Sequence, residues 1–304
     1  MNIQTVKSNA LLLLTATIWG FAFVAQRMGM DHVGPFTFNG IRFALGSLSL
    51  IPLMIIMERQ PGAHIRPKSS PKTLLWTGAI AGSAIFIGAS LQQVGLVYTT
   101  AGNAGFITGL YVVITPLLGL FWRQRPDTAT WIGAVLAAVG LYDLSVTDRF
   151  TIAFGDLLEL IGAFFWAGHV LIIGWLSPRM EAIKLAFAQF VVCSILSLIT
   201  AAFTETITLE GIRLAALPIL YGGLGSVGIA YTLQVVAQKD AKPSHAAIIL
   251  SMESPFAALG GWLILNEILS PRSMFGCALM LAGMLASQLH PLFRSKPRPA
   301  ELTP

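Results

Sequence analysis

The sequence predicts an all-α polytopic membrane protein: ten transmembrane helices arranged as two inverted five-helix repeats. Three observations predict it, namely the apolar composition, the spacing of the apolar runs and an internal duplication. Of 304 residues, 55% are hydrophobic and only 11% charged, with a mean hydropathy of +0.73. An ordinary soluble domain is about 25% charged. This chain has too little polar surface to cover a core, so its solvent is lipid. The isoelectric point near 9.4 does not imply nucleic acid, because the basic residues sit singly in short connections rather than on one patch. Cys193 and Cys277 fall inside apolar runs and define no disulfide framework.

Apolar segments of spanning length occur at 8–27, 36–57, 73–97, 101–122, 128–145, 154–175, 182–203, 214–237, 243–265 and 273–290. The first could pass for a signal peptide, but the chain is hydrophobic throughout, and it is read as an uncleaved span. The second carries Arg42 below its outer end. Spans three and four are joined by Tyr98-Thr99-Thr100-Ala101 with no charge at all. The longest connection, Glu58 to Lys72, contains three prolines and leaves no room for a soluble domain. The ninth span is the one around which the others are read. Glu253 stands ten residues after Pro243, so about 15 Å into the helix and near the midplane of a hydrocarbon core roughly 30 Å thick.

Charge placement orients these spans. With the N-terminus inside, only Arg27, Arg149, Arg213 and Arg272 fall in outer connections, and Arg42 lies within a span. Every other lysine and arginine falls on the inner side. Both termini are therefore expected in the cytoplasm.

The duplication appears on shifting the sequence against itself. A shift of 147 lays Ile18-Trp19-Gly20-Phe21 on Phe165-Trp166-Ala167-Gly168, and Arg42 on Gln189. A shift of 142 pairs Leu91-Gln92 with Leu233-Gln234. One of 143 pairs Gly133-x6-Gly140 with Gly276-x6-Gly283, and one of 139 pairs Thr115-Pro116 with Ser254-Pro255. The repeats are residues 1–150 and 151–304. Five spans is an odd number, so the second repeat enters the membrane upside down, the architecture of secondary transporters with a midplane site.

These features resemble the drug/metabolite transporter superfamily and, within it, the EamA-type permeases, over nearly the whole chain. The resemblance is carried by Trp19-Gly20, Arg42-Phe43, the run from Thr99 to Tyr111, Pro255 to Leu259, Leu265-Asn266-Glu267, and Gly276 to Gly283. Arg123-Gln124-Arg125-Pro126 departs from the Gly-Glu-Arg-Pro turn of many relatives. The resemblance implies an inner-membrane carrier for small metabolites or drugs, often an exporter, and does not identify the substrate.

Candidate functional residues follow from the cost of polar groups in lipid. An acid at the midplane is a functional hypothesis by default, so Glu253 is the leading candidate for substrate binding or proton coupling. In span six, Glu159, Gly162, Trp166 and His169 share one helix face. His169 could exchange protons near neutral pH, and Glu159 lies close enough to the outer surface to be wet. Arg42 could hold a substrate carboxylate bidentately, pair with Glu159, or snorkel outwards; a structural pairing is favoured. Gln92 and Gln93 in span three, Asn103 and Tyr111 in span four, and Tyr231 and Gln234 in span eight could line a wet cavity, although each alone could be an interhelical hydrogen bond. Trp19, Trp166, Phe106 and Tyr111 could stack on an aromatic or cationic solute. Trp76, Trp122, Trp131 and Trp262 read as interfacial or lipid-facing anchors. Pro116 and Pro255 interrupt their helices.

No G-x-x-x-x-G-K-[ST] appears, so no ATP drives transport within this chain. Zinc-site and G-x-S-x-G patterns are also absent, and no metal or cofactor is expected. The reading is a secondary carrier, not an enzyme, exporting amino acids or related amphiphilic compounds by alternating access, with proton coupling or facilitated diffusion both open. The rivals are a membrane enzyme or lipid-handling protein using Glu253 with His169, and a channel or receptor. The expected partners are a small-molecule substrate and the lipid bilayer.

Overall fold

A computed structural model describes residues 3–59, 70–122, 128–145, 152–241 and 243–294. The Arg123–Pro126 turn and most of the connection after Glu58 lie outside them, as does the side chain of Trp122. The described residues are almost wholly helical. Helices α1 (Ile3–Gly29), α2 (Pro35–Arg59) and α3 (Pro71–Gly95) are followed by a broken span, α4 (Ala101–Gly109) and α5 (Tyr111–Leu118), and then by α6 (Thr128–Ser145). Then come α7 (Phe154–Leu176), α8 (Ala182–Thr204) and a segmented stretch of α9 (Leu209–Leu214), α10 (Ala216–Leu220), a π-helical run (Tyr221–Tyr231) and α11 (Thr232–Ala237). A second broken span, α12 (Pro243–Leu250) and α13 (Glu253–Leu265), precedes α14 (Pro271–Arg294). Among the described residues seven stretches are long and apolar enough to cross a membrane, and two shorter apolar helices cover 131–144 and 271–286. The remaining stretch with a spanning pattern, 243–265, is divided at Ser251 and Met252.

The bundle is apolar on its surface as well as in its core, with polar groups enclosed among the apolar ones. Phe203 is 86% exposed and Ile268 90%, while Gln93, Gln189, Arg42 and Glu159 are buried. Trp76, Trp131 and Trp262 all stand on the exposed face, as anchors or lipid-facing rings would.

Close helix contacts set relative directions. On α2 and α8 the contacts descend against each other: Ser194 Oγ donates to the Gly40 carbonyl at 2.8 Å, and the rings of Phe43 and Phe190 lie 6.1 Å apart. The seam is fastened at both ends. Glu205, at the end of α8, accepts from the backbone N–H of Phe36 and Thr37 and from the Thr37 hydroxyl at 2.7–2.8 Å. At the other end Lys184 pairs with Glu58 at 3.1 Å. Helices α6 and α14 are also antiparallel. A Cβ on Gly140 would strike the Gly276 carbonyl, and one on Gly283 would strike that of Gly133, so glycine alone permits this approach. Helices α4 and α13 run antiparallel as well, with Ser254 Oγ donating to the Gly105 carbonyl at 2.7 Å.

Both broken spans have local causes. In the second, Pro255 has no N–H and its ring crowds the carbonyl one turn back. The helix stops at Ser251 and restarts at Glu253, which puts Pro255 in a first turn where no donor is needed. In the first, the chain tightens at Leu110, whose carbonyl accepts from both Val113 and Ile114 at 2.9 and 3.0 Å. Pro116 lies further on, inside α5, so here the break precedes the proline by more than a turn.

The end of α13 shows how local geometry reaches across the bundle. Asn266 is left-handed (φ 54°), and the Glu267 N–H returns to the Gly261 carbonyl at 3.0 Å, a glycine-type stop performed by asparagine. The turn aims the Glu267 carboxylate at the start of α4, where it accepts from the Ala101 and Gly102 N–H groups at 2.8 and 3.0 Å. Replacing Glu267 with alanine should cost about 2 kcal/mol, the worth of a charged cap on two backbone donors. Unfolding in mixed detergent micelles measures it, and an unchanged midpoint would remove the cap from the account.

Candidate functional site

One cavity sits where the broken spans face the other helices. Helix α1 contributes a stripe at helical spacing, Trp19, Ala22, Phe23 and Gln26. Helix α7 contributes Trp166, His169 and Val170. Arg42 comes from α2, Gln92 from α3, Thr108 from α4, Tyr111 from α5, and Glu253 from α13. Ser226, Tyr231 and Gln234 complete the wall from the π-helical run and α11. The cavity volume is about 30 Å³, room for one or two waters. Any larger solute requires the helices to part.

Glu253 reaches this position because α13 begins with it. It is 3% exposed, and no cation lies within ion-pair distance of it among the described residues. Tyr111 Oη faces its carboxylate without closing a well-formed hydrogen bond. The approach of α1 makes the wall opposite. A Cβ on Gly20 would collide with Phe256 and with the Glu253 carbonyl, so Trp19-Gly20 is where α1 lies against the acid-bearing helix.

The aromatic wall centres on Tyr231. Its ring lies 4.5 Å from Trp19, 6.2 Å from Trp166, 6.0 Å from Phe43 and 5.9 Å from Phe190, spacings typical of interacting aromatic pairs. Trp19 Nε1 donates to the Ser226 carbonyl at 3.3 Å. Trp166 Nε1 and Gln234 Oε1 are buried without a partner. His169 Nε2 meets Gln189 Oε1 at 3.1 Å, and Gln189 is the repeat counterpart of Arg42.

Arg42 is 2% exposed. Its Nε donates to Asn39 Oδ1 at 2.9 Å, and the guanidinium stands 5.6 and 5.0 Å from the Phe38 and Phe43 ring centres. The expected pairing with Glu159 does not form. Glu159 is fully buried rather than wet and accepts from the Thr108 hydroxyl at 3.0 Å. Two further candidates are not brought to the cavity. Gln93 is turned roughly 100° from Gln92 by the helix period, and donates to the Gln26 carbonyl at 3.2 Å. Asn103 sits in the first turn of α4, where its N–H is capped by Thr100 Oγ1 at 3.1 Å. Sequence reasoning passed over Gln26, which accepts from Gln92 Nε2 at 3.0 Å and so ties α3 to α1. The available signal was its spacing of seven from Trp19.

The sequence profile of the EamA-like transporter family matches residues 6–146 and again residues 153–287. The chain belongs to the EamA-like transporter family. An Archaeoglobus fulgidus protein named as an uncharacterized transporter is 36% identical over 91% of this chain and 84% of its own length. A Salmonella typhimurium protein named as a probable amino-acid metabolite efflux pump is 26% identical over 91% and 93%. A solved crystal structure aligns with a TM-score of 0.69 at 17% identity, covering 95% of this chain and 99% of that one, a likeness of fold. As an EamA-like transporter the chain is a multi-pass membrane protein, and its apolar exterior fits that placement.

Gly20→Val should push α1 off α13, costing 1–3 kcal/mol, roughly the range for overpacking, and shifting tryptophan emission through Trp19. A variant with the wild-type unfolding midpoint and spectrum would show that this contact is not made.

Proposed function

We propose that this EamA-like transporter is a secondary carrier with ten spans in two inverted repeats, residues 1–150 and 151–304, exporting small amphiphilic metabolites across the inner membrane with both termini cytoplasmic. The observation that carries the reading is the buried carboxylate of Glu253, at a helix break, in a cavity walled by helices of both halves. Supporting the inverted arrangement, the family profile matches twice, and three pairs of corresponding spans, α2 with α8, α4 with α13 and α6 with α14, lie antiparallel against each other. An odd number of spans per repeat requires that. Amino acids or their relatives are the proposed cargo, since a relative carries an amino-acid efflux name and the cavity combines aromatic faces with charged and amide groups.

Alternating access then means rocking one repeat against the other about the cavity. Glu253, with Tyr111 facing it, is the proposed coupling or cargo-binding acid. His169, Trp19, Trp166, Gln92, Tyr231 and Gln234 shape the wall. Gln93 and Asn103 act in packing α3 and starting α4. The enzyme alternative loses its pair, because His169 is bonded to Gln189 rather than to Glu253.

Purified protein in proteoliposomes should exchange labelled for unlabelled amino acid in counterflow, with Glu253→Gln lowering the rate and flattening its dependence on pH. If the variant keeps both rate and pH profile, Glu253 has no part in transport. If no cargo shows counterflow, the carrier reading itself falls.

A further inference from the structure

We propose that the cargo must bear a carboxylate, and that Arg42 is the residue that selects for it. This deepens the carrier reading and rests on it. Arginine is the side chain least able to shed its charge, and Arg42 is buried in a bundle whose outside is apolar. Such a cation is costly unless something anionic or strongly polar meets it. The protein supplies only part of that. Asn39 takes the Nε hydrogen, and is fixed as an acceptor there because its own Nδ2 donates to the Ala89 carbonyl at 3.0 Å. Phe38 and Phe43 offer ring faces.

No acid fills the remainder. Among the described residues no carboxylate lies within ion-pair distance of Arg42. Glu159 is engaged by Thr108, Asp156 by Thr99, and Glu253 looks toward Tyr111. Arg42 is one of the residues that line the cavity. A planar fork of N–H donors facing a cavity fits a carboxylate in two parallel hydrogen bonds, which a lysine ammonium could not reproduce.

A second observation points to a ligand in the same place. Trp166 Nε1 and Gln234 Oε1 line the cavity, buried and unpartnered, and buried polar atoms are seldom left so. The pseudo-symmetric position is also instructive. Gln189 stands where a second arginine would be, its Oε1 with His169 and its Nε2 without a partner. The cavity therefore has one anion-reading site rather than two. An amine on the cargo can be served by Glu253 or Gln234, but no fixed charge compels it. The carboxylate is obligatory and the amine optional.

Calorimetric titration of the purified protein in detergent tests this with three probes sharing one ring: phenylpropionate, phenethylamine and L-phenylalanine. Both carboxylates should bind, with phenethylamine at least about 30-fold weaker, the lower bound for losing one side of a buried charge pair. Arg42→Gln should weaken both carboxylates by a similar factor while leaving phenethylamine unchanged, and Arg42→Lys should fall between. The wild-type series stands by itself if Arg42→Gln does not fold. The proposal is overturned if phenethylamine binds wild type as well as phenylpropionate does, if neither carboxylate binds at millimolar concentration, or if Arg42→Gln retains wild-type affinity for phenylpropionate. Binding is read without flux, so failure here leaves the carrier reading standing, and absent counterflow leaves carboxylate selection standing.

Discussion

The constraint beneath this structure is that lipid offers no hydrogen bonds. Every polar group placed inside the bundle must be answered from within it. That accounts for large apolar residues on the outside, while glutamines, an arginine and two glutamates are enclosed within the apolar core. It also accounts for the long-range character of the polar contacts. Glu205 and Glu267 each answer the open N–H groups of a helix more than 160 residues away. Gln26 joins α1 to two adjacent glutamines of α3.

The candidate site lies where the answer is incomplete. The cavity gathers the groups that the described residues leave partly unmet: Glu253 without a cation, Arg42 without an acid, and Trp166 and Gln234 with orphaned polar atoms. Helix breaks make this possible. A continuous helix through 243–265 would carry Glu253 as one side chain among many. The break ahead of Pro255 makes it the first residue of a new helix, pressed against α1 at Gly20. Near a helix N-terminus a carboxylate also gains from the exposed backbone donors.

The two halves share packing but not chemistry. Trp19 and Trp166 both line the cavity, and the glycines of α6 and α14 meet crosswise, Gly140 against Gly276 and Gly133 against Gly283. Yet Arg42 faces Gln189 across the duplication, and His169 has Ala22. The shifted residues recur at contacts between the helices rather than at the charged groups. Departures from the duplication supply a single charged site rather than two mirrored ones.

Composition and periodicity by themselves determined that this chain is a helical membrane bundle, that residues of its first half recur at a nearly fixed shift in its second, and that the carboxylate of Glu253 in an apolar run is the group to explain. Those properties are local or additive: hydropathy sums along a helix, and a repeat is visible by shifting the chain on itself. Only the tertiary structure decided which polar residues meet. Gln92 rather than Gln93 faces the cavity because helix packing fixes the rotation of α3, and adjacent residues differ by about 100°. Arg42 is engaged by Asn39 and Glu159 by Thr108, so the expected pair does not form. Which of two neighbouring side chains turns inward depends on contacts with helices far away in sequence, and no local pattern encodes that rotation.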